Sequence, residues 1–244
     1  MTARVRFVLV EPREGGNVGA AARAMKNFGF TEMVIAGEVP PLEGAAQWWA
    51  SGAEDIVAGA RVEPSLERAL AGAHVAVATS SSRERTVERP LTPATTAALR
   101  AAMPDEQTVA IVFGREDRGL TADEIARCGR TAVIPTSDLH PTMNLAQAVA
   151  VFAWELSLKI EPAEAKPREL AAVDALERLH EAARGLLLDS GFLNAQNPDQ
   201  IYADLRAIAA RAMLDEREVA ILMGIVRQVR WAMGAKSRES SLES

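Results

Sequence analysis

The stretch Ala132–Leu156, AVIPTSDLHPTMNLAQAVAVFAWEL, decides how the rest of the chain is read. It predicts a short buried strand over 132–134, a polar loop holding Pro135 and Pro141, and a long apolar helix starting near Met143–Asn144. Leu145, Val149, Phe152 and Leu156 recur at spacings of three and four, which is one helix face. Ala146, Ala148, Ala150 and Ala153 fill much of the remainder, so neighbours are expected on more than one side. A strand that ends in unpaired backbone groups ahead of a helix N-terminus can hold a small ligand by main-chain contacts. The stretch can equally be one more βα unit.

Upstream, the same alternation repeats. VRFVLV (5–10) is β-branched and apolar and reads as a strand; a helix from Asn17 to Phe28 follows, with Asn17 as N-cap and Gly29 as its stop. Met33–Ala36, His74–Thr79 and Val109–Phe113 read as further strands. Between them lie an interrupted helical segment over 42–60, with Trp48 and Trp49 at a bend, and helices over 65–70 and 93–102. Thr121–Glu124 is a capping box that opens a helix over 122–127. Strands alternating with helices imply an α/β fold: a mostly parallel sheet with helices on both faces. Ligands of such sheets sit at the carboxyl ends of the strands. Those ends are here the polar and Gly-rich segments 11–17, 79–83, 114–120 and 135–144.

Downstream of Leu156 the character changes. The charged segment 160–168 holds two prolines and reads as a linker. Helices are expected over 170–188, 198–213 and 215–233, with amphipathic stripes on the first and third, and a disordered tail from 236 to 244. The division is therefore residues 1–160, 161–235 as a small all-helical domain, and the tail.

Composition narrows the function classes. The 244 residues are 48% hydrophobic and 25% charged, with a formal net charge of −6, as in an ordinary globular protein with a real core. No apolar run approaches the roughly 18 residues of a membrane span, and no leader pattern opens the chain. A single cysteine, Cys128, and three scattered histidines argue against disulfides and a metal site. A cytoplasmic location is expected. The acidic total conceals local basic groups: Arg4, Arg6, Arg13, Arg23 and Lys26 near the start, Arg83, Arg85 and Arg89, and Arg115 with Arg118. Binding follows such patches more than the total, although each can equally be solvated surface.

The first loop does not suit a nucleotide. Gly15, Gly16 and Gly19 do not make G-x-G-x-x-G, and no phosphate-loop Lys follows. Asn17 and Arg23 are six residues apart, about 120° apart in rotation, so they can serve one groove but not one atom. The small residues around Arg23 leave room for a close neighbour. Arg23 can be a surface ion pair, Glu116 a loop ion pair, and Thr79–Ser82 a turn; each can also contact a ligand.

Three segments in this order resemble the motifs of the SpoU branch of the SPOUT methyltransferases: NVGAAARAMKNFG (17–29), IVFGREDRGLT (111–121) and VIPTSDLHPTMNLAQAV (133–149). GRExxGLT, the NLAQAV helix and the segments LERLHEAARGLLLDSGF (176–192) and NPDQIYADLRAIAARA (197–212) are similar to the branch that methylates cytidine or uridine 32 of tRNA. The resemblance implies a C-terminal trefoil knot in the sheet domain, a homodimer whose active sites are completed across the interface, S-adenosylmethionine as cofactor and tRNA as substrate, with neither metal nor membrane. It implies catalytic roles for Asn17, Arg23, Glu116 and Asn144. The cofactor is expected against Thr79, Ser80, Ser81, Gly114, Gly119, Ile134, Pro141, Thr142 and Met143. Thr142-Met143 stands where the family usually has Ser-Leu, which keeps the hydroxyl and the apolar bulk. The family assigns hydroxyl activation to Arg23. A guanidinium, with a pKa above about 12, is a poor base, so the role that fits is holding a phosphate and lowering the hydroxyl's pKa, with Asn17 and Glu116 fixing Arg23 and the loops. Alternatives are a methyltransferase of another RNA, either ribosomal or at the tRNA wobble nucleotide, and an RNA-binding protein that keeps the fold without catalysis.

Overall fold

A computed structural model describes residues 3–81, 90–158, 169–193 and 198–240. In chain order the elements are β1 (Arg4–Val10), α1 (Gly15–Asn27), β2 (Met33–Ala36), α2 (Ala45–Ala50), α3 (Glu54–Ala58), β3 (Arg61–Glu63), α4 (Leu66–Leu70), β4 (Val75–Thr79), α5 (Pro93–Ala101), β5 (Thr108–Phe113), α6 (Ala122–Cys128), β6 (Gly129–Ala132), α7 (Leu145–Ser157), α8 (Val173–Asp189), α9 (Pro198–Ala212) and α10 (Glu216–Ser240). The strands form one sheet in the order β3-β2-β1-β5-β4-β6, and every pairing between these strands is parallel.

A parallel sheet covered on both faces needs apolar side chains on both sides of each strand. β1 meets this by alternation. Phe7 and Leu9 face α1, α5 and α7, while Val8 and Val10 face α4 and α6. On the first face Phe113 stacks on Phe7 at 6.1 Å and meets Phe152 of α7 edge-on at 5.6 Å. The expected α7 stripe is buried: Val149 and Phe152 are fully enclosed and Leu145 and Leu156 nearly so.

The small residues of α1 have a plain purpose. A Cβ on Gly19 would stand 1.9 Å from the Ala46 carbonyl oxygen, and one on Gly15 2.4 Å from that of Pro41. Glycine lets α2 press its backbone against α1.

Four details depart from the sequence reading. The last strand is 129–132, not 132–134, because Gly129 ends α6 in the left-handed region (φ 71°) and pairing with β4 starts there. It stops at Ala132, since the Val133 N–H donates to the Leu91 carbonyl instead. β3 was not expected; its three residues are too short and too exposed for the alternation to register. The bend in the 42–60 segment falls at Ser51–Gly52, and both tryptophans lie inside α2. α10 continues to Ser240, so the tail expected to be disordered from 236 is helical that far, and 241–244 lie outside the described residues. The expected linker at 160–168 and Arg83, Arg85 and Arg89 also lie outside them.

The helical region packs through Leu179 of α8 and Val219 of α10, with Leu176, Met223 and Val226 around them. It docks on the β6 edge. The Val173 N–H donates to the Ala73 carbonyl at 2.6 Å, and an Arg130 guanidinium N–H donates to the Ala210 carbonyl at 3.0 Å.

Candidate active site

The carboxyl ends of β4, β5 and β6 enclose a cavity of about 400 Å³, within the range of small-molecule sites. It is larger than the cavities of about 50 and 160 Å³ beside the helical region. Thr79, Ser80, Ser81, Gly114, Gly119, Ile134, Pro141, Thr142 and Met143 all line it, together with Arg115, Glu116, Leu120, Leu145 and Ala148. Aliphatic walls, hydroxyls and turning backbone thus meet in one place.

Local rules produce this shape. The loop after β5 returns so tightly that a Cβ on Gly114 would lie 2.3 Å from the carbonyl carbon of Gly119. Gly119 has φ 67°, a conformation side chains disfavour. The loop before α7 ends where the Asn144 side-chain oxygen accepts the N–H of Ala146 at 2.9 Å and of Gln147 at 3.4 Å, capping the helix. The Thr136 hydroxyl donates to the Pro141 carbonyl at 3.0 Å within the same loop. His140 is exposed there and does not line the cavity.

Asn17, Glu116 and Asn144, with Asn17 lying 99 and 127 positions from the other two, form one hydrogen-bonded chain. The Asn144 amide donates to the Asn17 side-chain oxygen at 2.9 Å. The Asn17 amide donates to Glu116 Oε1 at 2.8 Å. Glu116 also accepts the backbone N–H of Arg13 at 2.8 Å and of Glu14 at 3.4 Å. A carboxylate at the first turn of α1 suits the positive end of that helix. Asn17 is not the N-cap that the sequence suggested. α1 starts at Gly15, so Asn17 falls in the first turn and its side chain is free to bridge the two loops. Arg23 stands apart. It is exposed on α1, does not line the cavity, and has no hydrogen bond or ion pair among the described residues. Asn17 and Glu116 therefore fix the loops but do not hold Arg23.

The sequence reading left Arg115 as part of a local basic patch or as solvated surface, and missed its partners. Its side chain is only 5% exposed, between Glu11 at 2.7 Å and both oxygens of Glu124 at 2.9 and 3.0 Å. Hydrogen bonds to Glu124 and then Glu11 raise its pKa further above an already high value. The hydrogen bond from Arg115 lowers the Glu11 pKa. Burial pushes Glu124 up, but the bonds from Arg115 and the Thr121 N–H outweigh it, so its pKa is lowered. Thr121–Glu124 is the capping box expected from the sequence, but nothing in the sequence signalled that its Glu also reaches Arg115. The Thr79 hydroxyl donates to the Val112 carbonyl at 3.0 Å, across the sheet. Among the described residues no cluster of His, Cys, Asp and Glu could hold a metal, and no helix is long and apolar enough to cross a membrane.

Residues 4–154 match the family model described as the SpoU rRNA Methylase family, and residues 174–240 match that of the C-terminal domain of the tRNA methyltransferase TrmJ. The tRNA (cytidine/uridine-2'-O-)-methyltransferase TrmJ of Yersinia pestis (strain Pestoides F) is 34% identical over 240 residues, covering 94% of this chain and 92% of that one. Its counterpart in Photorhabdus laumondii subsp. laumondii is 34% identical over 240 residues, covering 95% and 99%. The crystal structure of TrmJ from Z. mobilis ZM4 superposes with a TM-score of 0.80 at 29% identity, covering 93% of this chain and all of that one (100%). The motifs that meet at the cavity, the parallel sheet and a match spanning most of the chain lead to one conclusion: the chain belongs to the SpoU methylase family.

Proposed function

We propose that the chain is a tRNA ribose 2′-O-methyltransferase that uses S-adenosylmethionine and acts at nucleotide 32, on cytidine or uridine. The observation that carries this reading is the Glu116–Asn17–Asn144 chain, which ties together the two loops that line a cavity at the sheet's carboxyl edge. The cavity suits the cofactor: aliphatic Leu120, Ile134 and Leu145 offer walls for a base, and Ser80, Ser81 and Thr142 offer hydroxyls. When bound, S-adenosylmethionine supplies a methyl group already activated on sulfonium. What remains for the protein is positioning, which can carry about 7–11 kcal/mol of a barrier.

Asn144 ends the second loop by capping α7, and Asn17 and Glu116 tie that end to α1 and the first loop. Both walls of the site then move as one body. Arg23 holds a phosphate of the RNA and lowers the pKa of the 2′-hydroxyl, whose proton leaves to phosphate or water; its guanidinium is too weak a base to take it. Its exposed position outside the cavity lining supports a homodimer in which Arg23 of one protomer serves the pocket of its partner. Phe28 and Trp154 meet edge-on at 5.7 Å beside α1, and Trp154 is 52% exposed, which offers an apolar face for such a partner. The reading includes a trefoil knot formed by the loops after β5 and β6, a cytoplasmic location, and no metal.

The test has two parts. S-adenosylmethionine raises the melting temperature of the protein, as ligand linkage requires. Arg23→Ala keeps that shift and loses methyl transfer to tRNA. A variant that transfers at the wild-type rate removes Arg23 from the mechanism; a wild-type protein whose melting temperature ignores millimolar cofactor favours an RNA-binding protein without catalysis.

A further inference from the structure

We propose that Glu11, Arg115 and Glu124 form a positioning clamp that sets the cofactor-binding shape of the 114–120 loop. The inference rests on the reading of the cavity as the S-adenosylmethionine site. Consecutive residues on that loop reach opposite ways. Arg115 turns back to Glu11, just past β1, and to Glu124 on α6. Glu116 reaches forward to the N–H groups of Arg13 and Glu14 and to Asn17. The loop is thus sewn to the β1–α1 connection at two points and to α6 at a third.

Three features mark the clamp as more than a surface ion pair. Arg115 is buried and makes a bidentate fork to Glu124 while its Nε donates to Glu11. A lysine keeps the charge but cannot reproduce that fork. Glu11 has φ 42°, a conformation that non-glycine residues avoid and that persists where the surroundings over-determine it. Gly37 makes room for it, since a Cβ there would lie 2.7 Å from Glu11 Cγ. A buried ion pair is weak evidence for stability, because desolvation offsets the attraction. Position is the gain that remains. The clamp borders the cavity, and an Arg115 guanidinium N–H also donates to the Gly119 carbonyl, at 3.4 Å, closing the loop on itself.

The experiment measures S-adenosylmethionine affinity by calorimetry, tRNA affinity by filter binding and steady-state kinetics, for wild type, Glu11→Gln and Arg115→Lys. Glu11→Gln keeps the side chain's size and the fold, so it remains informative even where an Arg115 variant is too unstable to purify. Both variants are expected to weaken cofactor binding by about tenfold or more, as displacement of a positioned group does. The Michaelis constant for the cofactor should rise in step, with tRNA affinity unchanged and the rate at saturating cofactor within about twofold. Cofactor affinity within twofold of wild type in Glu11→Gln overturns the clamp. So does a loss shared equally by cofactor affinity, tRNA affinity and maximal rate, which is what a merely structural role produces. If the wild-type protein itself does not bind the cofactor, the reading of the cavity falls, and the clamp with it.

Discussion

The α/β layer and the helical region each depend on a buried arginine, and the two use it differently. Arg115 lies between two carboxylates inside one layer, at the lip of the cavity. Arg206 joins two regions. It forms a bidentate pair with Glu177 of α8 and donates to the Ala126 carbonyl at 3.0 Å and the Arg127 carbonyl at 3.3 Å, at the C-terminal end of α6. The helix end leaves carbonyls without intrahelical partners, and a cation there suits the negative end of the dipole. One arginine shapes a site and the other fixes a joint. The surroundings differ accordingly. The sheet layer encloses a large core with Phe7, Phe113 and Phe152, though it leaves Trp48 and Trp154 on its surface, whereas the helical region buries few large side chains and leaves Phe192 59%, Ile221 54%, Ile225 54% and Trp231 69% exposed. The first region carries its own core; the second relies on few contacts to keep its place.

The largest effect expected concerns catalysis. Arg23→Ala should lower the rate of methyl transfer by about 10²–10³-fold, the loss typical of one positioned electrostatic group, with the folded structure unchanged because the side chain is exposed. Steady-state rates and circular dichroism check this. The joint comes next. Arg206→Ala leaves Glu177 uncompensated and should cost about 3–5 kcal/mol, as breaking a buried pair does. Limited proteolysis should then release the helical region while the sheet layer keeps its cofactor-induced thermal shift. If both regions unfold together, the contrast between site and joint is wrong.

The sheet layer was largely legible because its strands are buried on both faces and read as unbroken apolar runs. The α7 stripe and the Thr121–Glu124 capping box obey purely local rules; the box at Thr92–Thr95 obeys the same rule, but the sequence reading passed over it. β3 escaped because pairing, not sequence pattern, makes it a strand. The site residues were legible as types. Their joining was not, since the Asn144–Asn17 bond spans 127 positions along the chain. Arg115 shows the converse: in a sequence it reads as one more surface cation, and only the convergence of Glu11 and Glu124 reveals that it is buried.

Two smaller effects sharpen the comparison. Asn144→Ala removes a helix cap, which should cost about 1 kcal/mol, and also the bond to Asn17; denaturant titration should show the stability loss and calorimetry weaker cofactor binding. In the helical region, burial holds His180 at about 4, below its ordinary 6.5. Its neutral form is the one the fold accepts, so between about 6.5 and 4 the unfolded chain takes up a proton that the folded chain does not. Stability of the helical region should therefore fall as pH drops through that window, and His180→Gln should flatten the dependence. A wild-type curve already flat there would mean that the ring is not enclosed.

The central claim is the reaction itself, and one measurement addresses it directly. The purified protein is incubated with S-adenosylmethionine and unmodified tRNA or ribosomal RNA, and ribose 2′-O-methyl marks are mapped along each. The account predicts a mark at nucleotide 32 of tRNA that disappears with a 2′-deoxy substrate at that position. Marks confined to ribosomal RNA or to the wobble nucleotide, or no mark on any RNA, would contradict it.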